Sequence, residues 1–334
     1  MNEHPKMLRL IKPILLGLIF LTISFAGLYN HELWTPDEPR EAAITLEMSR
    51  TKDYLVPKLA GKPFVEKPPL FYILGAVSLP SDVSPAGAVR ILRTHSAVWG
   101  LLTLAATFML ARRLFGTKHA LFAFVVLATL PGFVNVTHRI MIDNALMFFV
   151  TASIWFFVEF YLVGRSAFIL GASTLLACGF LTKGIIAPVL VFPAWICLFV
   201  TWLIQRDRES MLPGVLLHLV ALIIFILLCG EWVFAFYKYA GPELWNEWFW
   251  SNHFGRFLGQ AKQLGHQNGP FYYIPNIAVS LLPWLVPAII GIIVALISVK
   301  KRDRNLRAVL PVLFWSLGGV LLLSLSATKR EIYL

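Results

Sequence analysis

Nine stretches of this chain are each apolar for about the 20 residues that a helix needs to cross a bilayer. They cover 13–29, 94–114, 119–137, 143–163, 166–182, 185–204, 213–231, 271–299 (broken by prolines) and 308–326. This pattern leaves an all-α, polytopic membrane protein as the fold class, with residues 1–334 forming one transmembrane domain of about nine helices. Of the 334 residues, 58% are hydrophobic and 14% charged, whereas a soluble domain carries about 25% charged residues. Such a chain could not cover its own surface in water. The stretch 70–80 is too short to cross and reads as a juxtamembrane or re-entrant helix started by Pro68-Pro69. The first run follows basic residues but lacks a small-residue cleavage site, so it reads as an uncleaved span. Cys178, Cys197 and Cys229 lie inside apolar runs without metal or redox spacing, as small core residues do.

The net charge of +11 does not point to nucleic acid. Its bases form short clusters between apolar runs, where a bilayer protein keeps its cytoplasmic anchors. With nine spans and a non-crossing 70–80, Lys6, Arg9, Lys12, Arg112, Arg113, Lys118, Arg165, Arg206, Arg208 and Lys300–Arg302 all fall on one side. That side is the cytoplasm, and the N-terminus lies there. The same parity puts the other polar segments on the external face. These are a first external loop over 30–93, His138-Arg139 with Asp143, Thr182-Lys183-Gly184, a second long loop over 232–270, and Lys329-Arg330-Glu331. A single site at the external membrane surface requires that gathering.

Within the first loop, Thr35-Pro36-Asp37-Glu38 predicts a helix start, with a Thr, an early proline and acids in the first turn. Such a start accounts for Glu38 by itself. Asp37 shares a helix face with Arg40 and Glu41. A carboxylate and a guanidinium together beside a bilayer suit a phosphate-bearing lipid, because the planar fork of Arg donates two parallel hydrogen bonds. In Glu66-Lys67-Pro68-Pro69, proline pushes Lys67 to extended geometry, so Glu66 and Lys67 should point apart. Lys67 then reads either as a snorkelling anchor or as a phosphate contact. Asp143 reads as a helix-start acid or as a site residue, and Lys183 as a span end or a site residue. Interfacial belts explain most aromatics of 232–270, while His253 and Arg256 stay open between structural and binding roles. Glu66 and His253 on one face raise a metal site, although two protein ligands are fewer than the usual three or four.

A set of short motifs then recurs in order: Trp34-Thr35-Pro36-Asp37-Glu38 with Arg40, Phe64-Val65-Glu66-Lys67-Pro68, and Leu181-Thr182-Lys183-Gly184. His253 with Arg256-Phe257, Phe271-Tyr272-Tyr273-Ile274-Pro275, Leu282-Pro283-Trp284-Leu285, and Lys329 with Tyr333-Leu334 follow. Across essentially its whole length the chain resembles bacterial members of the dolichyl-phosphate-mannose-protein mannosyltransferase-like family. Within it, the chain looks closest to the aminoarabinose transferases that modify lipid A. The resemblance implies a GT-C fold whose first external loop carries the catalytic aspartate. It implies transfer of a sugar from a polyprenyl-phosphate carrier to a lipid A-type or protein acceptor at the outer face of the bacterial inner membrane.

On that basis Asp37, with Glu38, supplies the catalytic carboxylates, and Arg40 and Lys67, with Lys329 or Arg330, contact the lipid phosphate. Asp143, Lys183 and Arg256 add to the substrate site, Tyr333 lies near the donor phosphate, and Glu66 with His253 matches a pair that holds a divalent metal ion. Two departures stand out. The sequence ends at Leu334, where family enzymes continue into further spans and an external C-terminal domain, so it reads as C-terminally incomplete. Glu41 stands where aminoarabinose transferases tend to have tyrosine. A lipid or sugar transporter or flippase, and an inactive truncated paralogue serving as a membrane subunit, are the alternatives. Transporters carry repeated halves around a midplane site, and this sequence shows neither repeat nor central charge ladder.

Overall fold

The charged stretch after Asn30 folds because its few apolar residues fall on one helical face. In the computed structural model, which describes residues 17, 21–205, 208–260, 268–300 and 306–330, helix α1 covers Asp37–Thr51. It buries Ala42, Ile44, Met48 and Thr45 and ends at Lys52 in the left-handed region. A two-residue ribbon, β1 (Lys58–Leu59) against β2 (Lys62–Pro63), turns through Ala60 and Gly61 at positive φ. Helix α2, Leu70–Val77, follows Pro69. Eight residues reach only about 12 Å, against a hydrocarbon core of about 30 Å, so α2 lies against α1 rather than crossing. Phe71, Tyr72 and Ala76 of α2 join Ile44, Met48, Trp99 and Ile140 in one apolar cluster.

Helix α3 runs from Pro85 to Phe115, nine residues earlier than the apolar run suggested. Ser84 caps it by accepting from the Gly87 N–H at 3.1 Å, and Pro85 fills the first position, where no N–H is needed. After Gly116 come α4 (Thr117–Thr129) and α5 (Pro131–Thr137), bent by 66° at the Leu130-Pro131 step. Then follow α6 (Ile142–Val163), α7 (Ser166–Lys183), α8 (Ile186–Gln205) and the long α9 (Arg208–Asn246). Last come α10 (Tyr273–Ser280), α11 (Leu285–Lys300), bent by 112° from α10, and α12 (Leu306–Leu325). Among the described residues six helices are long and apolar enough to cross a membrane, or eight if each bent pair counts as one span. These correspond to eight of the nine expected spans. Of the expected span 13–29, residues 17 and 21–29 are described, with helix over 21–25 and turns after it.

The inner core joins α3, α6, α7, α8 and α9 through Leu110, Ile154, Val158, Ile169, Ala172, Val191 and Ala221. Small residues let the backbones approach, as where Gly171 meets the Phe156 ring and Gly318 meets Pro193. Cys178, Cys197 and Cys229 are free thiols within these helices. The segment 232–270 departs from the expected loop. Helix α9 continues through it with a break at Gly241, and a π-helix covers Glu247–Gly255. Some of its aromatics form a core: Phe236 and Trp248 are buried with Val65, and Trp232, Trp245 and Phe249 pack around them, while Phe234, Tyr237, Tyr239, Trp250, Phe254 and Phe257 stay exposed. Trp232 Nε1 also donates to the Leu55 carbonyl at 3.2 Å. This segment is thereby fastened onto the first loop.

Candidate functional site

At the start of α1, Asp37, Arg40 and Glu41 share one face, while Glu38 sits about 100° further round the axis. That phase separates two neighbouring acids. Asp37, Arg40 and Glu41 line a cleft together with Glu66 and Lys67 before α2, Asp143 of α6, Lys183 of α7, Arg256 after the π-helix, and Arg330 after α12. Residues nearly 300 positions apart thus face one space. Arg330 Nη1 donates to Asp37 Oδ1 at 3.2 Å, with a second, shorter contact from Nη2 to Oδ2. Arg40 Nη2 donates to the same Oδ1 at 2.7 Å and to Glu41 Oε1 at 3.2 Å. Lys67 turns to Glu41 at 3.1 Å, whereas Glu66 pairs with Arg256 at 2.9 Å. The two neighbours therefore point apart, as expected for a residue held extended ahead of proline. Lys183 pairs with Asp143.

The cleft gathers five bases and four carboxylates among the described residues, an excess of one positive charge. Two guanidinium N–H groups, Nε of Arg40 and of Arg256, are buried and have no hydrogen-bond partner among the described residues. Burial works to raise the Asp37 carboxyl, but Arg330, Arg40 and Lys67 outweigh it and hold the group below its ordinary value. Burial likewise opposes the charge on Glu41, which Lys67, Arg40 and the Tyr72 hydroxyl nonetheless hold below the usual carboxylate range. Lys67 is raised in turn: burial pulls it down, and Glu41 and Glu66 more than compensate. At neutral pH Asp37, Glu41 and Lys67 are thus held charged.

Among the described residues, three expected site residues, Glu38, Lys329 and His253, are not part of the cleft lining. Glu38, expected beside Asp37 as a catalytic carboxylate, is fully buried and turned from the cleft. It accepts from Arg93 Nε at 2.7 Å, the Trp34 N–H at 2.9 Å and the Ile140 N–H at 3.2 Å. Arg93 also donates to the His31 carbonyl at 2.9 Å, so this pair ties α1, α3, the preceding loop and the start of α6 together. The expected Thr35 cap is also absent, since helix α1 begins at Asp37 with no side-chain cap. Lys329 does not reach the cleft. Its buried ammonium donates to the Asn268 carbonyl at 2.9 Å and to the Ser326 carbonyl, and burial lowers its pKa. Tyr333 lies outside the described residues.

His253 packs edge-on to Trp248, with ring centroids 5.1 Å apart. Its Nδ1 donates to the Trp248 carbonyl at 2.7 Å, a bond that leaves the lone pair on Nε2. That nitrogen points at Gly184, where a Cβ would stand 2.4 Å from it. Gly184 also has φ +73°, so glycine is required there on two counts, and the Lys183-Gly184 motif makes room for His253. A resident metal fits poorly. The Glu66 carboxylate is engaged by a guanidinium, and no three His, Cys, Asp or Glu side chains converge among the described residues. Two ligands with an Arg at one of them fall short of a metal cage.

Glu41, Tyr72 and Arg93 were not singled out as site residues by sequence. Glu41 carried a signal, its position four residues after Asp37, and Tyr72 and Arg93 carried none beyond polarity in apolar surroundings.

Residues 69–233 match the family model described as dolichyl-phosphate-mannose-protein mannosyltransferase. A Proteus mirabilis undecaprenyl phosphate-alpha-4-amino-4-deoxy-L-arabinose arabinosyl transferase is 31% identical over 329 residues, 96% of this chain and 56% of the relative. A Pseudomonas aeruginosa protein of the same name is 30% identical over 335 residues, with the same shares covered. The chain therefore spans about half the length of the curated relatives it matches. Among solved structures, ArnT from Cupriavidus metallidurans bound to undecaprenyl phosphate superposes with a TM-score of 0.78 at 23% identity, over 96% of this chain and 56% of that one. The oligosaccharyltransferase of Archaeoglobus fulgidus gives 0.61 at 15% identity, over 96% of this chain and 48% of that one.

Proposed function

The chain is a member of the GT-C family, close to the aminoarabinose transferases, and from that premise we propose that it is a membrane glycosyltransferase using a polyprenyl-phosphate-linked sugar. The observation that carries this reading is the cleft around Asp37. Among the described residues it has one positive charge in excess and two buried guanidinium N–H groups without partners. A phosphodiester supplies the missing anion and acceptors. The relatives' names specify an undecaprenyl phosphate donor, and one solved relative holds undecaprenyl phosphate.

The reaction is a displacement at the anomeric carbon. The acceptor oxygen bonds to that carbon while the bond to the phosphate oxygen breaks, and polyprenyl phosphate leaves with the electron pair. Negative charge grows on the leaving phosphate, and fixed donors aimed at growing charge lower the barrier. Arg40, Lys67 and Arg256 are the bases disposed for that task, while Arg330 holds Asp37. With a hydroxyl acceptor on protein or glycan, Asp37 takes its proton as general base. With a phosphate acceptor, as on lipid A, the nucleophile is already anionic and Asp37 positions the sugar. The site faces the external side of the inner membrane in this reading, a placement supported by the single-sided basic clusters. No step runs through a metal.

A labelled polyprenyl-phosphate sugar, offered with extracted lipid A or with a protein acceptor, tests the proposal. The enzyme yields a labelled acceptor, and Asp37→Asn binds donor while turnover drops about 10²- to 10⁴-fold. Wild-type protein that moves donor across vesicles without labelling any acceptor would instead make it a transporter. Near-normal turnover by folded Asp37→Asn would remove Asp37 from the chemistry.

A further inference from the structure

We propose that Glu41 is a positioning residue that holds Lys67 and Arg40 at the donor phosphate, an inference that rests on the function proposed above. Glu41 lines the cleft, but its side chain is only 2% exposed. Each oxygen is committed. Oε1 accepts from Lys67 Nζ at 3.1 Å and from Arg40 Nη2 at 3.2 Å, and Oε2 accepts from the Tyr72 hydroxyl at 2.6 Å. Tyr72 is itself fully buried and is fixed by the apolar cluster of α1, α2 and α3. The order of support therefore runs from the packed tyrosine to the carboxylate, and from the carboxylate to two bases at the cleft surface.

Without Glu41, Lys67 and Arg40 would lose the carboxylate that most offsets their like charges, and Glu66 would still act on both. Lys67 has a flexible four-carbon stem, so it would swing away before Arg40 did. Arg40 would keep Asp37 as a partner at 2.7 Å, and Lys67 would keep none among the ion pairs of the described residues. Arg40 Nε is buried and has no hydrogen-bond partner among the described residues. Its orientation toward an incoming anion depends on what fixes the rest of the guanidinium, and Glu41 is one of the two carboxylates that do so. The role differs from packing in a way that can be measured. Gln matches Glu in shape and loses the charge, whereas Asp keeps the charge and loses a methylene.

Equilibrium binding of polyprenyl phosphate to the full chain in detergent micelles separates the two. Glu41→Gln should weaken binding about tenfold, and Glu41→Asp by less than about threefold. In a Lys67→Gln background the further change to Glu41→Gln should cost less than about twofold, because the residue acts through Lys67. Tyr72→Phe, which removes one hydroxyl and keeps the ring, should weaken binding in the same Lys67-dependent way and serves if Glu41→Gln fails to fold. Equal binding by Glu41→Gln and wild type, a larger loss for Asp than for Gln, or an undiminished effect in the Lys67→Gln background would overturn the inference while leaving the glycosyltransferase reading intact. Wild-type protein that binds no polyprenyl phosphate would sink both.

Discussion

Replacing Glu38 separates the two acids that begin α1. In the structure Glu38 is an internal strut: its carboxylate takes a guanidinium through two N–H groups, at 2.7 and 3.1 Å, and two backbone N–H groups besides. Glu38→Ala leaves Arg93, whose side chain is 4% exposed, buried without its counter-charge. Breaking a buried ion pair from one side costs about 3–5 kcal/mol, or roughly two to four powers of ten in the folding equilibrium. Glu38→Gln keeps the shape and one acceptor oxygen, so its cost should be nearer the roughly 1.5–3 kcal/mol of a charged hydrogen bond. Thermal unfolding in detergent reads both, with Ala melting well below Gln and Gln below wild type. Turnover per folded molecule should be nearly unchanged in Gln, because the carboxylate does not face the cleft. Wild-type melting combined with a large loss of turnover in Glu38→Gln would refute this reasoning and return Glu38 to the chemistry.

Other outcomes follow from the same contacts. Burial opposes ionisation of Glu38 and Glu41, yet Arg93 for the first and Lys67 with Arg40 for the second hold both below their ordinary values. The stability they contribute is therefore complete above the ordinary carboxylate pKa of about 4.3 and is lost as pH falls through the lowered folded values. Detergent melting temperatures should be flat from neutral pH down to about pH 5 and fall below about pH 4, and a decline already present above that range would contradict the pairing. Gly184→Ala must adopt φ +73° and push a methyl toward His253. A cost of about 1–3 kcal/mol in the same melting assay is expected, and unchanged melting would show that His253 does not stand there. Lys183→Met should be destabilising alone and largely rescued by Asp143→Asn, with a coupling of about 0.5–3 kcal/mol in a double-mutant cycle. Additive effects would mean that the two side chains do not pair.

Much of this was legible in the sequence because bilayer crossing imposes a length and a composition on each helix. Helices α6, α7 and α8 fall where their apolar runs lie. The polar start of α3 was missed, since Arg90 and Arg93 interrupt the apolar signal while Ser84-Pro85 begins the helix nine residues earlier. The 232–270 segment read as a loop because Gly241-Pro242 and its charges look like punctuation, yet aromatic packing against Val65 keeps it helical. The cleft was only partly legible. Spacing put Asp37, Arg40 and Glu41 on one face and set Glu38 apart as a helix-start acid, but which face turns inward depends on helix phase, so spacing alone could not place either acid. Lys329 and Arg330 differ in the same way, one turned to backbone carbonyls and the other to Asp37. The meeting of Arg330 with Asp37 rests on the whole bundle, and no local pattern encodes it.

A lipid phosphate enters the cleft beside Asp37 in the proposed reaction, and photocrosslinking with a short photoreactive polyprenyl phosphate tests that entry directly. Labelled peptides should carry Lys67 or Arg256, and unlabelled polyprenyl phosphate or the Lys67→Gln/Arg256→Gln double variant should abolish the labelling. Labelling confined to lipid-facing helices such as α11, unaffected by competitor or by those substitutions, would contradict it.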